Sequence, residues 1–343
     1  MLVVRPITVS DYDALHRCAV ESGHGFTSLP VNKELLTRRI RLSEESFAKK
    51  KVVSPHNEGY LMVAFDTKTN DVVGTTGIEA AVGWDTPFYS YHLSTHVHSS
   101  LRLDVKKVVK LLTLDNHYTG CSELCTLFLQ PEYRQGLNGR FLSKCRFLML
   151  AQHPERFSST VIAEMRGVSD EHGHSPFWKW LQTHFFDIEF TLADYLTGIG
   201  NKGFIADLMP KMPIYVNLLS AEAQAVIGQV HEQTKPALKL LENEGFSCRH
   251  YVDIFDAGPT VECHLNHIAS VRHSCLLNVH ISEHYQGKKT TVFVSNMSFE
   301  HFRATLIESH CDLDAGFVAI SQEVADELFV RDGEQVRVLV QCR

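Results

Sequence analysis

The stretch 123–142, Glu-Leu-Cys-Thr-Leu-Phe-Leu-Gln-Pro-Glu-Tyr-Arg-Gln-Gly-Leu-Asn-Gly-Arg-Phe-Leu, constrains the fold of this chain more than any other. It reads as an apolar strand, a turn at Pro131, and a short basic loop holding Gly136 and Gly139. An apolar-periodic helix over 141–150 follows. The free amides of a first helical turn and the helix dipole suit such a junction to phosphate, and Arg134 and Arg140 add charge. No Gly-x-x-x-x-Gly-Lys-Ser/Thr sequence is present, and the glycines are not spaced as Gly-x-Gly-x-x-Gly. Neither a nucleotide-hydrolysing loop nor a dinucleotide fold is therefore implied. The remaining common ligand is the pyrophosphate of coenzyme A, which points to acyl transfer. The rival reading is an ordinary helix start with solvated arginines.

With 343 residues the chain can bury a large core, as one large domain plus a smaller unit or as two fused lobes. Its 40 Asp and Glu against 33 Lys and Arg argue against binding nucleic acid through a basic surface, and suit a cationic small substrate. No apolar run reaches the length of a membrane span, and the first residues lack signal-peptide architecture, so the cytoplasm is the expected compartment. Nine scattered cysteines read as buried free thiols. His92, His96 and His98 fall on one face of an alternating segment, but no carboxylate or cysteine can be placed beside them. No metal is expected.

The order of elements gives the fold class. A strand over 2–5 precedes a helix over 11–21 capped by Ser10, and a second helix covers 32–50. Strands follow over 60–65, 72–81 and 89–97, while 101–114 fits strand or helix. After the 123–150 unit come a short strand over 160–165, a helix opened by Ser175 and Pro176, and a strand over 185–190. A glycine-broken loop then runs to 203. Two helices are expected over 221–230 and 234–244, then a strand over 246–255. From 275 onward the pattern is β-rich, which sets a boundary between 1–268 and a C-terminal unit, 269–343. Two helices, then antiparallel strands, then strand–loop–helix, is α+β with a mixed sheet.

This order, the opening Val4-Arg-Pro-Ile-x-x-x-Asp11 and the loop 134–142 resemble the GCN5-related N-acyltransferase fold. A closer resemblance, to the arginine N-succinyltransferase family, is carried by longer strings. They are Gly25-Phe-Thr-Ser-Leu-Pro30, the strand 123–129, Ala163-Glu-Met-Arg-Gly167 with Asp170-Glu-His-Gly173 and Ser175-Pro-Phe-Trp178, Val226-Ile-Gly-Gln-Val-His231, and Tyr251-Val-Asp-Ile-Phe-Asp256 with Gly258-Pro259. The resemblance spans the whole chain. It implies transfer of succinyl from succinyl-CoA, a co-substrate rather than a resident cofactor, to the α-amine of L-arginine. The alternatives are an ornithine or dual-specificity subunit, or a non-catalytic CoA-binding subunit. A homo-oligomer or a complex with a homologous subunit is expected.

Residue by residue, the family pattern Arg/Gln-x-x-Gly-x-Gly/Ala laid on Arg134 meets Leu137 where the first glycine belongs, with Gly136 one place early and Gly139 in place. A Cβ at Leu137 disfavours positive φ, so the turn is expected to have moved onto Gly136. The CoA site is accordingly assigned to Arg134, Gly136, Leu137, Asn138, Gly139 and Arg140. The resemblance adds Leu127, on a strand edge able to pair with the extended pantetheine arm. It also makes His231 the general acid or base, described in the family as a proton donor. From the sequence alone His231 reads rather as a helix-end residue, where the dipole would favour its protonated form; the resemblance reverses that preference. For the substrate, Glu164 or Asp170 suits a guanidinium and Arg166 a carboxylate, with His174 and His24 as further cations for the succinyl carboxylate. A structural Glu164–Arg166 pair is the rival.

Overall fold

The computed structural model describes residues 1–22, 29–170, 173–198, 203–282 and 288–341. β1 (Leu2–Pro6) leads through a 3₁₀ turn into α1 (Tyr12–Ser22), and α2 (Lys33–Ala48) follows. Asp11 organises this start: its carboxylate accepts both terminal nitrogens of Arg5 at 2.7 and 2.8 Å and the Thr8 amide at 2.8 Å. The cap therefore lies at Thr8, two residues before the expected Ser10, because a 3₁₀ turn intervenes. Asn32 caps α2, accepting the Leu35 amide at 2.9 Å.

β2 (Gly59–Asp66), β3 (Asp71–Glu79), β4 (Ser90–Ser100), β5 (Val105–Asp115) and β6 (Ser122–Leu129) come next. β5 settles the ambiguous 101–114 segment: it pairs with β4 along eleven register positions. α3 (Asn138–Gln152), β7 (Thr160–Glu164) and α4 (Pro176–Phe185) follow, with Ser175 capping α4. The expected strand over 185–190 and the loop after it are instead the end of α4, then α5 (Phe190–Gly198) and α6 (Gly203–Leu208). Here Phe190, Ala193 and Ile205 face one core with Trp178, which overrides the local β propensity of the aromatics.

Then come β8 (Ile214–Tyr215), α7 (Ala221–Val226), α8 (Lys235–Glu244), β9 (Ser247–Val252), β10 (Pro259–His264) and α9 (Ala269–His273). The last elements are β11 (Cys275–Ile281), β12 (Thr290–Ser295), β13 (Ala304–Ser309), β14 (Cys311–Asp312), β15 (Phe317–Ile320), α10 (Gln322–Leu328) and β16 (Gln335–Val340). Among the described residues the strands form one mixed sheet, in the order β14-β15-β11-β16-β12-β13-β1-β2-β3-β6-β7-β10-β9-β4-β5-β8. Its middle is covered on both faces. Tyr60, Met62 and Ala64 of β2 pack with α3, while Leu61 and Val63 pack with α1 and α2.

The C-terminal strands extend the main sheet. β13 pairs with β1, and Phe293, Phe299 and Phe302 join the core under α3. Only the outer strands have a core of their own, built on Leu277, Val294, Val318 and Val338.

At the centre, β6 and β7 run parallel but pair only at Ser122↔Val161 and Glu123↔Ile162. Three residues further along β6, a bulge sets Thr126 and Leu127 against Thr76 of β3, with Thr126 at φ +58°. A β-branched residue in the left-handed region is strained, and the Thr75 hydroxyl donating to the Thr126 carbonyl at 2.9 Å holds it there. The bulge bends β6 where its pairing with β7 ends. A split therefore opens at the middle of the sheet.

Because Phe302 is fully buried in the core shared by both ends of the chain, Phe302→Ala should cost about 3–5 kcal/mol. Chemical denaturation followed by the emission of Trp84, Trp178 and Trp180, all of them far from the tail in sequence, should show the loss in the N-terminal region.

Candidate active site

The loop past β6 is compact. A 3₁₀ turn at Pro131–Tyr133 leads to Gly136 at φ +56°, and Leu137 precedes α3 at φ −106°. The left-handed residue is thus Gly136, and Leu137 needs no glycine-like conformation. Nothing lies within 4 Å of where a Cβ would stand at Gly136 or Gly139, so the loop surface is open. No side chain caps α3. The amides of Gly139 and Arg140 have no acceptor among the described residues, the condition for an anion at a helix start. Asn138 ties the loop back, donating to the Tyr133 carbonyl at 3.1 Å. Arg134 folds over the end of β6, its Nε donating to the Leu129 carbonyl at 2.7 Å and its guanidinium 5.7 Å from the Phe128 ring centre. Arg140 is exposed. Leu127 lies past the last β6–β7 pair and packs its side chain on the main core.

On the other side of β6 a cavity of about 300 Å³ is lined by residues of both split strands, Cys125 and Glu164, together with Arg39, Glu79, Glu123 and Thr197. Glu79 and Glu123 stand directly opposite on β3 and β6, a like-charge pairing that costs stability alone. Arg39 offsets it, bonding Glu79 at 2.8 Å. Burial works against the Arg39 charge, and Glu79 together with the nearby Cys125 and Glu123 more than compensates. The Thr197 hydroxyl is buried in the wall with no bond partner among the described residues. The Cys125 thiol is pushed up to about 12 by burial and then by Glu79, so it supplies no thiolate for an acyl-enzyme.

His231 sits where the segment after β7 meets the turn after α7. Its amide donates to the Arg166 carbonyl at 2.9 Å, next to a bridge between Gly167 and Val230. The expected helix over 221–230 stops at Val226, and Gly228 at φ +73° turns the chain. His231 therefore opens a 3₁₀ turn instead of ending a helix, and its Nδ1 accepts the Gln233 amide at 3.2 Å. Its pKa moves opposite to the expected direction: desolvation first, then the Arg166 charge, lowers it below the ordinary imidazole range. With Nδ1 accepting, the neutral ring carries its hydrogen on Nε2. What it offers a ligand is a donor.

Of the substrate residues expected from sequence, Glu164 lines the cavity, while Arg166, Asp170 and His174 do not. Arg166 donates to the Ser169 hydroxyl at 3.0 Å. Asp170 and His174 pair at 2.9 Å on an exposed turn. His24 lies outside the described residues. Sequence reasoning missed Arg39, Glu79, Glu123 and Thr197. Glu79 and Glu123 each mark the end of an apolar strand, the signal that identified Glu164, but only the register shows that all three converge. Among the described residues no cluster of His, Cys, Asp or Glu could hold a metal ion, and no helix is long and apolar enough to cross a membrane.

The comparisons with known proteins agree along the whole chain. Residues 2–270 match the family model described as arginine N-succinyltransferase beta subunit, and 278–339 match the model of its C-terminal domain. The chain belongs to the arginine N-succinyltransferase family. Arginine N-succinyltransferases of Citrobacter koseri and Salmonella arizonae are 45% and 44% identical over 342 residues, covering 100% of this chain and 98% of each relative. Among solved structures, the arginine/ornithine succinyltransferase subunit AI from Pseudomonas aeruginosa superposes with a TM-score of 0.91 at 35% identity, covering 99% of this chain and 98% of that one. The mixed sheet with flanking helices and a β-rich C-terminal region is thus the architecture of the family.

The lowered His231 pKa carries a test. If the neutral ring is the working form, turnover falls as pH drops through that pKa. Arg166→Gln removes a charge that lowers it, so the acid limb of the pH–turnover profile should move to higher pH, whatever happens to the maximum.

Proposed function

We propose that this chain transfers succinyl from succinyl-CoA to the α-amine of L-arginine, giving N2-succinyl-L-arginine and CoA by direct attack. The observation that carries the reading is the split between β6 and β7. It has an open, uncapped helix start at one end and an acid-lined cavity at the other. In this reading the amides of the loop 134–140, with Arg134 and Arg140, hold the pyrophosphate, and the edge of β6 around Leu127 pairs with the pantetheine arm. The guanidinium of arginine enters the cavity toward Glu79, Glu123 and Glu164, whose planar carboxylates match its fork of donors. Arg39, bonded to Glu79, offsets their mutual repulsion.

The neutral amine attacks the thioester carbon, the C–N bond forms, and the C–S bond breaks. Nitrogen loses one proton and sulfur gains one, so the ring of His231 ends as it began. His231 presents Nε2–H to the negative charge that develops on oxygen and then on sulfur. Most of the rate comes from holding amine and thioester together. The free cysteines among the described residues suit a reducing cytoplasm.

Thiol release from succinyl-CoA and acetyl-CoA, measured with arginine, ornithine and lysine, tests the assignment. Arginine-dependent release with succinyl-CoA far ahead of acetyl-CoA is expected. Equal rates with both donors, or no dependence on arginine, would refute it. Ornithine matching arginine would favour the dual specificity carried in the name of the Pseudomonas protein. His231→Ala should lower turnover by about 10²–10⁴-fold with little change in the KM for succinyl-CoA.

A further inference from the structure

The string from Tyr251 to Pro259 lies outside the proposed chemistry, yet it places two acids in the interior beside His231's support. Asp253 Oδ1 accepts the amides of Phe255 at 2.7 Å and Asp256 at 2.9 Å. Asp256 reaches across to the segment after β7: its Oδ2 accepts the Gly167 amide at 2.6 Å and its Oδ1 the Gly258 amide at 2.8 Å. The packing is too close for side chains. A Cβ at Gly167 would stand 2.5 Å from Asp256 Oδ1, and one at Gly258 would stand 2.1 Å from the Met165 carbonyl oxygen.

The turn carrying His231 hangs between these two segments. Gly228 donates to the Ala257 carbonyl at 2.8 Å on one side. On the other, Val230 bridges Gly167 and the His231 amide bonds the Arg166 carbonyl. Asp256 is the clasp between the two sides, next to Ala257 in the chain and bonded to Gly167. We propose that Asp256, backed by Asp253, is a positioning residue for His231, setting where its ring meets the acyl group. This rests on reading His231 as the group that meets the reacting atoms.

The chemistry of the clasp fits the task. Burial, then the Asp253 charge, pushes the Asp256 carboxyl well above its ordinary range, against the pull of the two amides. A buried acid is costly, and an apolar residue would fill the same space more cheaply. An apolar side chain would leave the Gly167 and Gly258 amides without acceptors and the segment carrying Arg166 loose. Asp256 touches no ligand in this arrangement. Its effect on the reaction passes through His231.

A mutant cycle tests this on the full-length enzyme, using succinyl-CoA and arginine. Asp256→Asn keeps the volume but turns an amide donor toward Gly167 or Gly258. It should lower kcat by about 10–100-fold, as a displacement near 1 Å does, with the KM for succinyl-CoA unchanged. On a His231→Ala background the same change should cost nothing further, since the group it positions is gone. Losses that multiply, or a parental kcat in Asp256→Asn, would overturn the proposal. Parental turnover in His231→Ala would overturn it too, together with the reading of His231, and is distinguishable because the single variant alone reveals it. Should Asp256→Asn not fold, Asp253→Asn loosens the clasp from behind, and its smaller kcat loss must likewise vanish on the His231→Ala background.

Discussion

Everything at this site depends on two parallel strands that stop pairing after two residues. β6 keeps its other edge bonded to β3 and β7 keeps its other edge bonded to β10. Each of the two strands is therefore held along its far edge while the edges facing each other diverge. Backbone groups at such a line need partners, and an extended ligand bearing amides supplies them as a neighbouring strand would. The bulge at Thr126 is the local device that opens the line. Its strain is small beside the broad pairing that surrounds it, so the opening is a property of the scaffold and needs no ligand to create it.

The split also sorts the chemistry. Its two ends face different chemical groups because they are built from different kinds of structure. The loop end presents main-chain amides at the start of α3, which can answer phosphate whatever side chains lie nearby. The cavity end presents side chains from three adjacent strands and one helix, Glu79, Glu123, Glu164 and Arg39. Side chains at the cavity end can therefore be substituted without altering the main-chain amides at the loop end.

Much of this was legible in the sequence. The strand–loop–helix over 123–150, the helix starts at Ser175 and Ser220, and the main C-terminal strands follow from periodicity and local chemistry. The turn at Gly136 followed from weighing one glycine against one leucine. What was not legible required partners distant in sequence. β10, short and bounded by Gly258-Pro259, becomes a strand because β7 and β9 flank it. α5 and α6 are helical because Phe190, Ala193 and Ile205 share a core with Trp178. The charge preference of His231 was misread because it depends first on desolvation in the folded chain, then on Arg166, 65 positions away, and on a helix that ends early. The acid-lined cavity exists only once β3, β6 and β7 are in register.

The pairing of β13 with β1 has a consequence for how the chain is made. β13 follows β1 by roughly 300 residues of chain, so one edge of β1 waits through the synthesis of all of them for its partner. Until then an apolar strand edge and the underside of α3 lie open, a surface that invites pairing with another nascent chain. The N-terminal two-thirds can collapse early, but the molecule is sealed only when its final strands arrive. A chain that stops short of β13 would therefore be a hazard to the cell more than a weakened enzyme.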